Sequence, residues 1–233
     1  MNEAFERVRG VRELPLFPLP LVLFPGAPLP LHIFEPRYRQ MLRDALAGNR
    51  LFGVSFYDPE IASLPQPAEG HLGCVAEVRE VETTPDGRSN VLTFGVIRYR
   101  LLEYVETDEP YLVGRVEFFV DGDEDETLLA TEAARARELF YRNAEAVRAL
   151  SDERGSLPEL PDDIPPEQFS FLVAAAMDLE NDVKLELLEL RSTVERLQRL
   201  RDLLARVVTN YEDRARVHKV AKTNGHGRHD IDL

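Results

Sequence analysis

The stretch LPLFPLPLVLFPGAPLPLHIF, residues 14–34, decides how the rest of the chain is read. It runs 21 residues without a formal charge, about the length that spans a bilayer. It also holds six prolines, Pro15, Pro18, Pro20, Pro25, Pro28 and Pro30, two to five residues apart. Each interior proline removes a backbone donor and costs a helix about 3 kcal/mol. No uninterrupted helical turn survives that spacing, so the segment is not a membrane span. A secretory signal is excluded as well, because the preceding MNEAFERVRGVRE mixes both charge signs and no small-residue cleavage site follows. The run therefore reads as short edge strands joined by turns, with Pro25-Gly26 at one turn and Leu29, Leu31 and Ile33 alternating in strand fashion. A cytoplasmic location is expected.

Upstream, residues 1–12 are charged and are expected to form a loosely held arm. Downstream, Glu35-Pro36 opens a helix, proline being suited to the first helical position, and Gly48-Asn49 ends it. Residues 51–57 read as a buried strand and 58–70 as a polar loop. Residues 73–81 and 90–105 flank Thr84-Pro85-Asp86-Gly87, a turn in which proline pre-sets φ and glycine accepts φ > 0. With a further strand at 111–120, the hairpin has apolar residues on both faces, which suggests a sheet curling into a closed or nearly closed barrel. After Asp121 the period changes from two to 3.6. Helices are expected at 127–150, 169–179 and 183–217, with a proline-containing loop at 151–166. Leu187, Leu190, Val194, Leu197, Leu200, Leu204, Val207 and Tyr211 form one apolar stripe. An antiparallel bundle or a coiled-coil dimer seam explains it. The expected class is α+β: an arm (1–12), a β-rich subdomain (13–122), a helical bundle with one long terminal helix (123–217) and an unstructured tail (218–233).

Composition narrows the function. The 233 residues carry 28 basic and 42 acidic side chains, a net charge of −14. That balance repels nucleic-acid phosphates and anionic lipid, so membrane and nucleic acid are not expected partners. The single cysteine, Cys74, can neither form an internal disulfide nor supply a cysteine-based zinc site; at a strand start it reads as a small buried apolar residue. Only Lys184, Lys219 and Lys222 are lysines, and none follows a glycine, so no P-loop can be drawn. Nor does any lysine sit where a desolvated serine–lysine dyad would need it. The acidic run Asp121, Asp123, Asp125 and Glu132 has calcium-loop spacing, but Glu126 occupies the obligatory glycine position and a strand precedes it. It reads better as an acidic turn feeding a helix N-terminus, where the dipole favours negative charge. His226 and His229 lie in the tail, and His32 and His71 are isolated, so no metal or other cofactor is expected.

One resemblance covers residues 13–210. ELPLFPLPLVLFPGAPLPLHIFEPRYRQML (13–42), the strand GCVAEV (73–78), the turn PDGR (85–88), FGVIRYR (94–100) and LELLELRSTVERLQRLRDLL (185–204) resemble the LON substrate-binding domain family, the N-terminal region of the ATP-dependent Lon protease. The resemblance implies a PUA-like pseudo-barrel followed by a helical bundle. It also implies recognition of polypeptide, whereas neither an ATPase nor a protease module can be placed in this sequence, so a non-enzymatic binder is expected.

That reading gives unfolded or exposed apolar polypeptide as partner, with a separate protease or chaperone as a further one, and an adaptor or chaperone-like role. A Lon-like hydrolase and an RNA-binding PUA-like protein are the alternatives, the latter resting on basic strips at Arg37, Arg39 and Arg43 and at 214–222. Arg98 stands in an otherwise apolar strand, so its guanidinium needs a carboxylate; because the resemblance includes both motifs, Glu35 is the expected partner in a structural ion pair. The competing assignment places Phe34, Arg37, Tyr38 and Arg98 on a peptide-contact surface. Phe24, Phe34, Phe52, Phe56, Tyr57 and Phe94 are either core or part of that surface.

Overall fold

The computed structural model describes residues 3–60, 66–150 and 163–206, the side chains of 146–150 excepted. Its elements are α1 (Glu3–Arg7), β1 (Glu13–Leu19), β2 (Pro28–Ile33), α2 (Pro36–Ala47), β3 (Leu51–Phe56), β4 (Leu72–Thr83), β5 (Ser89–Val105), β6 (Leu112–Phe119), α3 (Glu126–Leu150), α4 (Pro166–Ala176) and α5 (Asn181–Glu189). A further helix, α6, occupies 193–206. The strands form one mixed sheet in the order β2-β5-β4-β3-β1-β6, and β5 also pairs with β6. Five strands thereby close into a ring, and β2 stands outside it against the front half of β5. Only β1 and β3 run parallel; the other pairs are antiparallel.

The proline-rich run divides as its turn residues require. Gly26, at φ +77°, takes the left-handed conformation between the strands. β2 is an edge strand, but β1 is interior, paired to β3 on one side and β6 on the other. β1 keeps its two prolines because it exchanges bonds with each neighbour over only part of its length.

Leu14, Leu16, Leu51, Val75, Tyr99 and Leu101 fill the interior of the ring. The Tyr99 hydroxyl, deep among them, bonds Ser55 Oγ at 2.7 Å, as a buried phenol requires. The N-terminal segment is not a loose arm. Residues 3–7 are helical, and Val8, 3% exposed, enters the same core with Ala4 and Val11 packed beside it; the apolar residues among the charges hold it down.

The chain divides into two compact units, Met1–Asp123 with Glu167–Thr193, and Glu124–Pro166 with Val194–Leu233. α4 and α5 thus belong with the strands, not with α3. The reason is packing: Phe171 on α4 meets Phe24 with ring centroids 6.2 Å apart, and Gln168 and Leu172 lie against Gly26. In the second unit, Asn143 Nδ2 donates to the Leu204 carbonyl at 3.1 Å and Arg201 pairs with the buried Glu132 at 2.8 Å, tying α3 to α6.

The single helix expected over 183–217 is interrupted. α5 ends at Glu189, Leu190 adopts φ −55°, ψ 130°, and a new helix begins at 193. Ser192-Thr-Val-Glu195 carries the spacing of a capping box, a start signal hidden within a continuous apolar stripe. The Glu124 carboxylate also accepts the Val194 N–H at 3.2 Å. Residues from 207 onward, including the expected tail and its two histidines, lie outside the described residues. Among the described residues no helix is long and apolar enough to cross a membrane.

Candidate polypeptide-contact face

Arg98 sits on the back half of β5 and is 1% exposed. Its Nη1 donates to the carbonyls of Leu188 (2.8 Å) and Leu190 (2.5 Å), and its Nη2 pairs with Asp121 Oδ1 at 2.5 Å. Thr193 Oγ1 donates to the other Asp121 oxygen. The guanidinium also lies over the rings of Phe119 (4.6 Å) and Phe171 (5.0 Å). The sequence-based demand for a carboxylate is met, but by Asp121. Glu35 instead pairs with its neighbour Arg37 at 2.9 Å, both half exposed. Register supplies the reason: Arg98 lies opposite Phe119, two residues before Asp121, whereas Glu35 follows β2, which pairs with the other half of β5. Arg98 is therefore a framework residue, closed off from any ligand.

The four residues expected at a contact surface separate accordingly. Tyr38 is 7% exposed and packs on Phe17 with ring centroids 4.1 Å apart; burial raises its hydroxyl above the ordinary tyrosine value. Arg37 covers the Tyr38 ring from outside at 4.5 Å. Phe34 is 56% exposed, the most exposed large apolar side chain among the described residues, and its ring stacks beside His32 at 6.1 Å. Phe34 and Arg37 remain at the surface. Of the remaining aromatics, Phe24 and Phe52 are core.

The strand alternation that buries Leu29 and Ile33 turns Pro28, Pro30 and His32 outward. On neighbouring strands the register aligns Pro30 with Leu92 and Glu80, and His32 with Asn90 and Glu82. Two cross-strand rows result, opposite residues of a pair sharing a face. Both line a shallow depression of about 550 Å³ on the outside of β2, β5 and β4. His32 Nδ1 and Asn90 Oδ1 are 2.8 Å apart. Among the described residues, Glu80 and Glu82 have no cationic partner, while Glu77 further along β4 holds both Arg7 and Arg79. The open edge of β2 is blunted. Prolines cannot donate, so the ladder to β5 uses the odd-numbered amides, and the missing donors at 28 and 30 fall on the free side. The face, rather than the edge, is what this wing presents.

Sequence reasoning named Leu29, Leu31 and Ile33 but passed over their outward complement and the two glutamates opposite. The signal was available in the same alternation.

Other chemistry-bearing groups are committed. Cys74 is fully buried, and burial pushes its thiol up to about 12, so it holds no thiolate at neutral pH. Asp125 accepts the Leu128 N–H at 2.8 Å at the start of α3, Glu132 pairs with Arg135 and Arg201, and Asp121 holds Arg98; the acidic run thus serves three separate structural ends. A second depression, of about 670 Å³, lies by Tyr104 and Tyr111. Their hydroxyls donate to the Pro67 carbonyl (2.6 Å) and Asp44 (3.0 Å).

Residues 13–206 match the ATP-dependent protease La (LON) substrate-binding domain. The chain is 29% identical over 226 residues to a Lon protease of Trichlorobacter lovleyi, covering 94% of this chain and 27% of that protein. It is 33% identical over 133 residues to a Lon protease of Parabacteroides distasonis, covering 54% and 15%. It thus spans about a quarter or less of the length of these relatives. Among solved structures, the N-terminal domain of a Mycobacterium avium complex Lon protease superposes with a TM-score of 0.61 at 18% identity, covering 83% of this chain and 98% of that one. A Lon N-terminal domain protein from Xanthomonas campestris superposes at 0.56 with 23% identity, covering 82% and 97%.

Proposed function

The chain belongs to the LON substrate-binding domain family, and we propose from that premise that it recognises polypeptide without performing chemistry on it, as an adaptor or chaperone-like binder in the cytoplasm. The β-rich unit is the recognising part.

One observation carries the reading beyond family membership: an exposed, partly apolar sheet face ends in the 56%-exposed Phe34, on a protein whose reactive candidate Cys74 is sealed in the core. Large apolar side chains left in water mark interaction surfaces when they join a larger patch. Phe34 and Arg37 extend that face at the start of α2. Tyr38 supports them from below, and Arg98 fixes the frame.

Titration of a fluorescently labelled, unfolded polypeptide such as casein tests the reading. A saturable rise in anisotropy with a Kd on the order of 10 µM, with no cleavage of the probe, is the expected result. A flat titration at ten times that concentration rejects it.

A further inference from the structure

The outer face of β2, β5 and β4 has a charge character that its apolar residues alone do not explain. Along β4, three glutamates fall in the rows opposite β5: Glu77 opposite Phe94, Glu80 opposite Leu92 and Glu82 opposite Asn90. The first is 5% exposed and neutralised by Arg7 and Arg79. The other two are exposed, and no described residue pairs with them. Beside them lie Pro30 and the half-buried Leu92, and Phe34 continues the line past His32. The result is a partly apolar strip, with His32 and Asn90 among its members, bordered on one long side by two carboxylates that no described cation compensates. The whole chain, at −14, adds a field of the same sign.

We infer that this face docks an extended polypeptide segment in which lysine or arginine alternates with apolar side chains. This rests on the polypeptide-binding reading and specifies its substrate class. In an extended segment, side chains two apart share a face at roughly 6.6–6.8 Å intervals, and Glu80 and Glu82 are likewise two apart on one strand. A segment lying along β5 over Leu92, with its two rows of side chains directed sideways, puts two cations at that spacing over Glu80 and Glu82 on β4, while the apolar residues that alternate with them fall on the β2 side, over Pro30 and Phe34. The prolines at the β2 edge leave that edge short of donors, so selection rests on side chains rather than on an added strand. An acidic segment meets like charge along the whole border and is excluded.

Three labelled peptides of identical length and apolar content test the inference, with lysine, glutamine or glutamate at the alternating positions. Each is titrated by anisotropy against the wild-type chain, the variant E80Q/E82Q and the control E117Q on β6, with labelled casein alongside. The wild type is expected to bind the lysine peptide about five- to tenfold tighter than the glutamine one, as two exposed ion pairs allow, and the glutamate one more weakly still. The preference should shrink towards onefold in E80Q/E82Q, persist in E117Q and fade as salt rises. If casein binds but the lysine preference is absent, or survives in E80Q/E82Q, the face assignment is overturned while polypeptide binding stands. If neither casein nor any peptide binds, polypeptide binding itself falls. Self-association of the chain that is abolished in E80Q/E82Q, without peptide binding, would assign the face to a second copy and overturn the inference.

Discussion

β5 is one strand in two environments. Its back half, from Arg98 to Val105, pairs with β6 and helps close the ring; Arg98, Tyr99 and Leu101 are almost wholly buried there. Its front half, from Ser89 to Phe94, pairs with β2 and turns Asn90, Leu92 and Phe94 towards solvent to differing degrees. In the back half every strong polar group has a partner: Arg98 has Asp121 and two carbonyls, and Tyr99 has Ser55. Beside the front half two carboxylates, Glu80 and Glu82 on the adjacent strand, have no cationic partner among the described residues. A polar group without a partner is tolerated where water reaches it and costly where it does not. The closed half therefore has no spare chemistry to offer a ligand, and the open half can carry function without disturbing the fold.

The largest effect expected from that contrast is at Arg98. Replacing it by methionine leaves the buried Asp121 carboxylate without its guanidinium, and should lower unfolding free energy by about 3–5 kcal/mol, read as a shift in the urea midpoint. R98M/D121N should cost less than the sum of the two single changes, because the second substitution removes the stranded charge. Simple additivity, or a loss for R98M below about 1 kcal/mol, would show that the back half is no more committed than the front.

Gly95 stands where the two halves meet. A Cβ there would collide with the backbone carbonyl of Phe24 and press on Cys74 Sγ. Backbone cannot swing aside as a long side chain can, so Gly95→Ala should destabilise by about 1–3 kcal/mol, measured by the same denaturation. A neutral outcome would mean that segment 20–27 can shift away from β5.

His71, on the loop entering β4, gives a smaller, pH-dependent effect. Its Nε2 is buried without a partner, and burial lowers its pKa, only partly opposed by a backbone bond to Phe56. The folded form thus binds its proton less readily than the unfolded chain. Below the unfolded value of about 6.5, the unfolded state takes up more protons and stability falls with pH; above it the group contributes no pH dependence. Urea midpoints at pH 7.5 and 5.5 should fall further apart in the wild type than in His71→Gln. An equal acid loss in both would assign the dependence to other groups.

Much of this was legible in the chain because it was local. The hairpin turn Thr84-Pro85-Asp86-Gly87, the Pro36 helix start and the bounds of β3 to β6 follow from turn chemistry and alternation, which depend on residues a few positions apart. What escaped was non-local or masked by a stronger pattern. Asp121 meets Arg98 only because β6 pairs with the back half of β5, a register that linear spacing does not state. The break after Glu189 hides inside an unbroken apolar stripe, and its start signal, Ser192 to Glu195, overlaps the stripe residue Val194. The short α1 was obscured by its charges, although Val8 was the apolar anchor within them. Within the candidate face, Phe34 and Arg37 were legible from their setting at the helix start, whereas Glu80 and Glu82 were not, since only strand pairing brings them alongside Pro30 and His32.

The smallest stability effect and the sharpest test of the contrast fall on the same residue. Phe34 lies just beyond β2 with more than half its surface in water, so its truncation removes little buried area. Phe34→Ala should leave the urea midpoint within about 0.5 kcal/mol of wild type, as surface substitutions do. Yet the ring is the largest apolar element at the end of the face, and burying such a side chain against a partner contributes roughly 1.5–3 kcal/mol. Loss of even half of that would weaken binding of an unfolded polypeptide several-fold. Anisotropy titration of labelled casein against both proteins, beside their denaturation curves, separates the two quantities. A variant that unfolds early and binds normally would place Phe34 with the framework, and the functional division of β5 into a closed and an open half would then fail at its exposed end.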